Sequence, residues 1–110
     1  MTGYRVIKAD GSEVFQGHAD LPAKPDYLQL KAVIDPLLGG LDFERVNVWF
    51  DDRYTDMFVD ECGMLKGLPR NERATVIYRA NALKHQPDQN PEHLPCICGD
   101  VVLFARRVWF

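Results

Sequence analysis

The stretch from Asp60 to Arg79, "DECGMLKGLPRNERATVIYR", packs a turn, a basic loop, a proline and the start of a helix into a short span. Asn71 suits an N-cap, because its side-chain oxygen can accept the otherwise unpaired N–H of residue 73 or 74. Glu72 adds favourable charge to the first turn, and Pro69 just outside the cap stiffens the approach. Ala74, Ile77, Tyr78 and Ala82 then share one apolar stripe. The plain reading is a capped helix, in which Asn71→Ala costs about 1 kcal/mol. Beside it stands a functional reading of the same residues as an anion pocket. Lys66, Arg70, Asn71, Arg73 and Thr75 surround a helix start where free N–H groups and the helix dipole favour a phosphate. The glycine spacing and terminal Lys-Ser/Thr pair of a Walker loop are missing, so backbone cradling of a triphosphate is not supported.

Upstream, "YRVIKADGSEVFQ" has two short apolar runs around Asp10-Gly11, which predicts an antiparallel hairpin. Pro25 and Asp26 suit the first turn of a helix, and Tyr27, Leu30, Val33, Ile34 and Leu37 fall on one of its faces. Pro36 inside that pattern predicts a kink or an early stop, closed by Gly39-Gly40. From Phe43 to Phe50, "FERVNVWF" alternates as a half-buried strand does, and "TDMFVDE" offers its partner, ending in the turn Glu61-Cys62-Gly63. On such strands Asp52, Asp56 and Asp60 face water; the alternation argues against a helix on which they would mimic spaced phosphates.

Downstream, "KHQPDQNPEHLP" reads as a loop, and Val101 to Phe104 as a strand covered on both faces. Val108, Trp109 and Phe110 form either the last piece of core or a contact surface. The expected architecture is α+β, one domain over residues 1–110: a mixed or antiparallel sheet of about five strands with two helices packed on one face.

The bulk numbers fit. A chain of 110 residues with 46% hydrophobic and 26% charged residues is one ordinary globular domain and excludes disorder. A net charge of −3 gives no general attraction for nucleic acid or anionic membranes. No apolar run approaches the ~18 residues of a membrane span, and "MTGYRVIKAD" lacks a signal-peptide core, so a cytoplasmic location is expected. Cys62, Cys96 and Cys98 are an odd number of cysteines and read as reduced thiols. No cofactor is expected.

The residues also hold pieces of metal, nucleophilic and nucleic-acid chemistry. His93, Cys96 and Cys98, completed by His85 or Cys62, could hold zinc, but Cys-x-Cys on a strand puts both thiols on one face with no knuckle around the ion. No metal is assigned; a metal- or thiol-dependent enzyme on His93, Cys96 and Cys98 is the alternative reading. There is no nucleophile elbow, H-E-x-x-H or glycine fingerprint, and His18 with Asp51 and Asp52 reads as solvated turn chemistry. Trp49, Arg45 and Asn47 on one strand face, with Arg106 and Arg107 later, are too thin a pattern for nucleic-acid binding.

"DECGMLKGLPRNERAT" followed by "ICGDVVLF" resembles a bacterial and bacteriophage domain-of-unknown-function family, number 3846. The resemblance falls on Glu61 and Gly63, on Leu65, Leu68, Pro69 and Asn71, on Ala74 and Thr75, and on Gly99 and Asp100. "YRVIKADG" and "LLGGLDFERV" are similar too, so nearly the whole chain is covered. Cys62, the long loop from Ala82 to Pro95 and the aromatic tail depart from the pattern. The family supplies no catalytic residues. The resemblance implies only a small accessory protein of phages, plasmids or their hosts; the function expected of this chain is that of a non-catalytic binding protein of a phage or mobile element, countering host defence by binding a phosphorylated signal molecule or a host protein. The further alternative is a purely protein-binding inhibitor. A homo-oligomer built through the tail or an edge strand would enlarge the pocket.

Overall fold

In the computed structural model, residues 1–10, 14–39, 42–50, 52–63 and 66–110 are described. Gly11, Gly40, Asp51 and Leu65 lie outside them. Among the described residues the strands are β1 (Thr2–Ile7), β2 (Val14–Ala19), β3 (Phe43–Phe50), β4 (Arg53–Asp60) and β5 (Val101–Phe104). The α-helices are α1 (Tyr27–Leu38) and α2 (Glu72–His85). The strands form one antiparallel sheet in the order β2-β1-β5-β4-β3. The α+β class, the five strands and the two helices are those the sequence predicts.

The placement of the helices differs. All four residues of β5 are buried, and they alternate between two hydrophobic clusters: Val101 and Leu103 in one, Val102 and Phe104 in the other. Ile7, Met57 and Val59 join the first cluster with Ala74, Ile77 and Tyr78 of α2. Val6 and Phe58 join the second with Leu30 and Ile34 of α1. The helices therefore lie on opposite faces rather than on one. A central strand that is apolar on both sides exposes one of them to water unless each face has its own cover.

Local chemistry sets the ends of α1. Asp26 is the N-cap itself, one step before the first turn in which it was expected: its carboxylate accepts from the Gln29 N–H at 2.8 Å, while the Gln29 side chain accepts from the Asp26 N–H at 2.9 Å. Pro36 does not stop the helix early. So near the end its missing N–H removes one bond of the ladder, and α1 runs on to Leu38. The helix closes on Gly39 at φ +86°, whose N–H reaches the Asp35 carbonyl.

The edge strand β3 is covered by α2. Asn81 donates its side-chain amide to the Asn47 carbonyl at 2.9 Å, and further along Lys84 sits 4.3 Å from the Trp49 ring centroid. His85 stacks on Tyr54, whose hydroxyl lies 3.1 Å from its Nε2.

Asp56 corrects another expectation. It does not face water but is 1% exposed, and its carboxylate accepts the N–H groups of Val108 at 2.9 Å and Trp109 at 2.8 Å. The tail thereby becomes core: Val108 is fully buried and Trp109 packs against Phe58. Phe110 stays exposed, with Arg107 against its ring. Asp56→Ala strands two amide donors in an apolar site and is expected to cost about 2–4 kcal/mol. Chemical denaturation measures that loss, and carboxypeptidase should trim the variant's tail faster than the wild type's.

Candidate functional site

The segment that opens α2 is built around one residue. Asn71 is 1% exposed and uses every polar group it has. Its Oδ1 accepts from Ala74 N–H at 3.0 Å, the predicted cap, while its Nδ2 donates to the carbonyls of Ile7 and Gly99, both at 3.0 Å. Its backbone N–H donates to the Ile97 carbonyl at 2.8 Å. Thr75, also buried, accepts from the Ile97 N–H at 2.9 Å through Oγ1. Gly99 at φ +90° donates to the Pro69 carbonyl, and a Cβ there would meet Leu68 Cδ1 at 2.9 Å. Gly63 packs against the Cys98 carbonyl, so the motif residues Gly63, Pro69, Asn71, Thr75 and Gly99 all fasten α2 to the segment that leads into β5.

This placement takes most of the expected anion pocket out of reach. Asn71 and Thr75 point inward and are fully engaged. Lys66 is paired with Asp60 at 2.8 Å and Arg70 with Glu72 at 2.8 Å. Among the described residues Arg73 alone of the five has no such partner, and the Glu72 carboxylate already supplies negative charge to the first turn. His93 is exposed, and among the described residues no three His, Cys, Asp or Glu side chains are placed to hold a metal ion.

A different site appears where α2 leaves the sheet bare. The register pairs Gly3 with His18, Arg5 with Gln16 and with Leu103, and Phe50 with Arg53. Two-residue alternation puts all of these on the α2 face, together with Ile7 and Val48 of the first cluster. There they line a cavity of about 280 Å³ to which α2 contributes no residue. Its base is Gly3, Leu103 and Ala105; Gln16 and His18 stand on one side, Phe50 and Arg53 on the other. The Arg5 guanidinium lies 5.6 Å from the Phe50 ring centroid, which orients it. Among the described residues no carboxylate lines the cavity, and neither Arg5 nor Arg53 makes an ion pair. Two guanidinium groups beside a hydrogen-bonding rim make a site for an anion with several oxygens. The sequence held a partial signal, since Gly3 and Arg5 alternate along β1, but the pairing that brings Arg53 across from them is set by the whole sheet.

Comparison with protein-family models, with curated proteins and with solved structures found no match for this chain.

Three variants test the geometry around α2. Asn71→Ala removes the cap and leaves the Ile7 and Gly99 carbonyls without their donor, so a loss of about 3–5 kcal/mol is expected rather than that of a cap alone. Asn71→Asp keeps the cap acceptor but turns a charged oxygen toward two carbonyls; its deficit in equilibrium unfolding should shrink as the pH is lowered, because a protonated carboxyl can donate again. Asp60 behaves oppositely. Burial pushes its carboxyl up, but the hydrogen bonds from Lys66 and from the Cys62 N–H outweigh this and hold it below the usual carboxylate range. A depressed native value contributes stability above the unfolded carboxylate range and loses it as pH falls through the native one. Lys66→Met should therefore cost about 0.5–1 kcal/mol near pH 7, with the difference from wild type vanishing in acid.

Proposed function

We propose that this protein is a small non-catalytic binding protein for a phosphorylated small molecule, held on the open half of the sheet. The observation that carries the reading is the cavity of about 280 Å³ bordered by Arg5 and Arg53, with no carboxylate among the described residues of its lining. Phosphoryl oxygens would receive the two guanidinium forks, and the Gln16 amide and His18 ring are placed for the rest of the ligand. Lys66, Arg70, Asn71, Arg73 and Thr75 do not line this cavity; they belong to the segment that opens α2, which meets the other end of β1. The resemblance to phage and bacterial accessory proteins supports a setting in the host cytoplasm, where such a protein would sequester a phosphorylated signal of host defence. No helix among the described residues is long and apolar enough to cross a membrane.

Thermal-shift screening of the protein against inorganic phosphate and a panel of nucleotides tests the reading. A ligand at a hundredfold excess over its Kd stabilises by about 2.7 kcal/mol, a rise in Tm of roughly 10 °C for a chain of this size. Arg53→Gln should weaken binding about tenfold or more. Gly3→Leu should abolish it by filling the cavity, since a Cβ at Gly3 has only ordinary contacts, at 3.6 Å from Ala105 and 3.9 Å from His18. A response equal in all three proteins would place the ligand elsewhere. A silent screen, with a host protein co-purifying from its own cells in native mass spectrometry, would replace a small-molecule ligand by a protein target.

A further inference from the structure

A second cavity, of about 220 Å³, lies where the turn after β4 meets the segment before β5. Cys96 and Cys98 form one wall; Glu44, Asp60 and Glu61 stand around it. The two Sγ atoms are 3.9 Å apart. Both thiols are free and half-buried. They share a face because the segment is extended and pinned: the Asn71 N–H holds the Ile97 carbonyl, Thr75 Oγ1 holds the Ile97 N–H, and Arg70 bridges to Cys98. None of this chemistry is used by the anion site, which is lined by other residues.

We propose that Cys96 and Cys98 are a dithiol site for low-molecular-weight disulfides, which enter through this cavity and leave the pair joined by a reversible intramolecular disulfide. The Cys96 thiolate attacks one sulfur of the incoming disulfide, forming a mixed disulfide and expelling a thiolate, which takes up the proton Cys96 gave to solvent. The Cys98 thiolate then attacks Cys96 Sγ and expels the second small thiolate, protonated in the same way. Two protein thiols are oxidised, and one small disulfide is reduced to two thiols. The gap of 3.9 Å must close to about 2.05 Å, which side-chain rotation and a small shift of the segment supply. The order of attack follows the surroundings: burial, with the hydrogen bond to Cys96, pushes the Cys98 thiol up and disfavours it as the first nucleophile, which leaves Cys96 to meet the reagent. The carboxylates of Glu44 and Glu61 select for charge. A cationic disulfide is drawn to this rim and an anionic one repelled.

The test uses the full chain carrying Cys62→Ser, because Cys62 is exposed and would react on its own account. Incubated with cystamine, quenched with acid and weighed intact, this protein should lose the mass of two hydrogens, keep no adduct, and return to its starting mass with dithiothreitol. Peptide mapping should locate the link between Cys96 and Cys98. Adding Cys98→Ser should arrest the reaction as a stable mixed disulfide on Cys96. At low ionic strength cystamine should react about tenfold faster than oxidised glutathione, with the two rates converging as salt is added. Should the Cys98→Ser variant fail to fold by circular dichroism, the map of the Cys62→Ser protein decides alone. Persistent adducts on both thiols would overturn the proposal. So would thiols that react only after unfolding, or a faster reaction with the anionic reagent.

Discussion

A single buried side-chain amide holds three parts of this molecule in register. Asn71 caps α2, ties that cap to the last carbonyl of β1, and reaches the carbonyl of Gly99 immediately before the central strand. Buried polar groups that are fully satisfied specify one arrangement, because any slip of a neighbour leaves a donor or acceptor unpaired in a low-dielectric interior. Asn71 makes that constraint local to the junction of α2, β1 and β5. From it follow the line of α2 along the edge strand β3 and the half of the sheet that α2 does not reach.

That uncovered half gives the fold its functional character. One layer of helix on each side is enough to bury β5, but α2 is anchored at the far end of its face and lines none of the cavity over the beginning of β1, where Gly3 and Arg5 lie beside Gln16 and His18 of β2. Polar and cationic side chains occupy that ground. Among the described residues Arg5 and Arg53 have no carboxylate partner although the chain as a whole is acidic, whereas Lys66, Arg70 and Lys8 are balanced by Asp60, Glu72 and Asp100. A net charge says little about where charge is left unpaired.

Much of the architecture could be read from the residues, and the failures have physical reasons. The Asn71 cap, the apolar run of β5 and the hairpin of β3 with β4 depend on neighbours in sequence, and each stands where its local chemistry puts it. The faces of the helices do not. Whether α1 and α2 share a side depends on how Val101 to Phe104 divide between clusters, and an unbroken apolar run carries no period to reveal it. Asp56 was missed for a similar reason: its partners, the N–H groups of Val108 and Trp109, lie some fifty positions away. The anion pocket expected at the α2 start rested on cations whose carboxylate partners, Asp60 and Glu72, are near in sequence; their pairing is visible once rotamers are known, not before. The cavity beside Arg5 needs the register of strands on both sides of the sheet centre.

The position of β5 in the strand order bears on how the chain matures. It is the middle strand of the sheet and the last of the five in sequence, joining two hairpins that otherwise do not touch as strands. During synthesis both hairpins therefore emerge with a long unpaired side and an apolar surface awaiting a partner that has not yet been translated. Contacts this distant along the chain make closure slow for a protein of this size. The nascent polypeptide is thus most vulnerable to clumping in the interval before residues 101–110 leave the ribosome, and holding chaperones would protect it most during that interval.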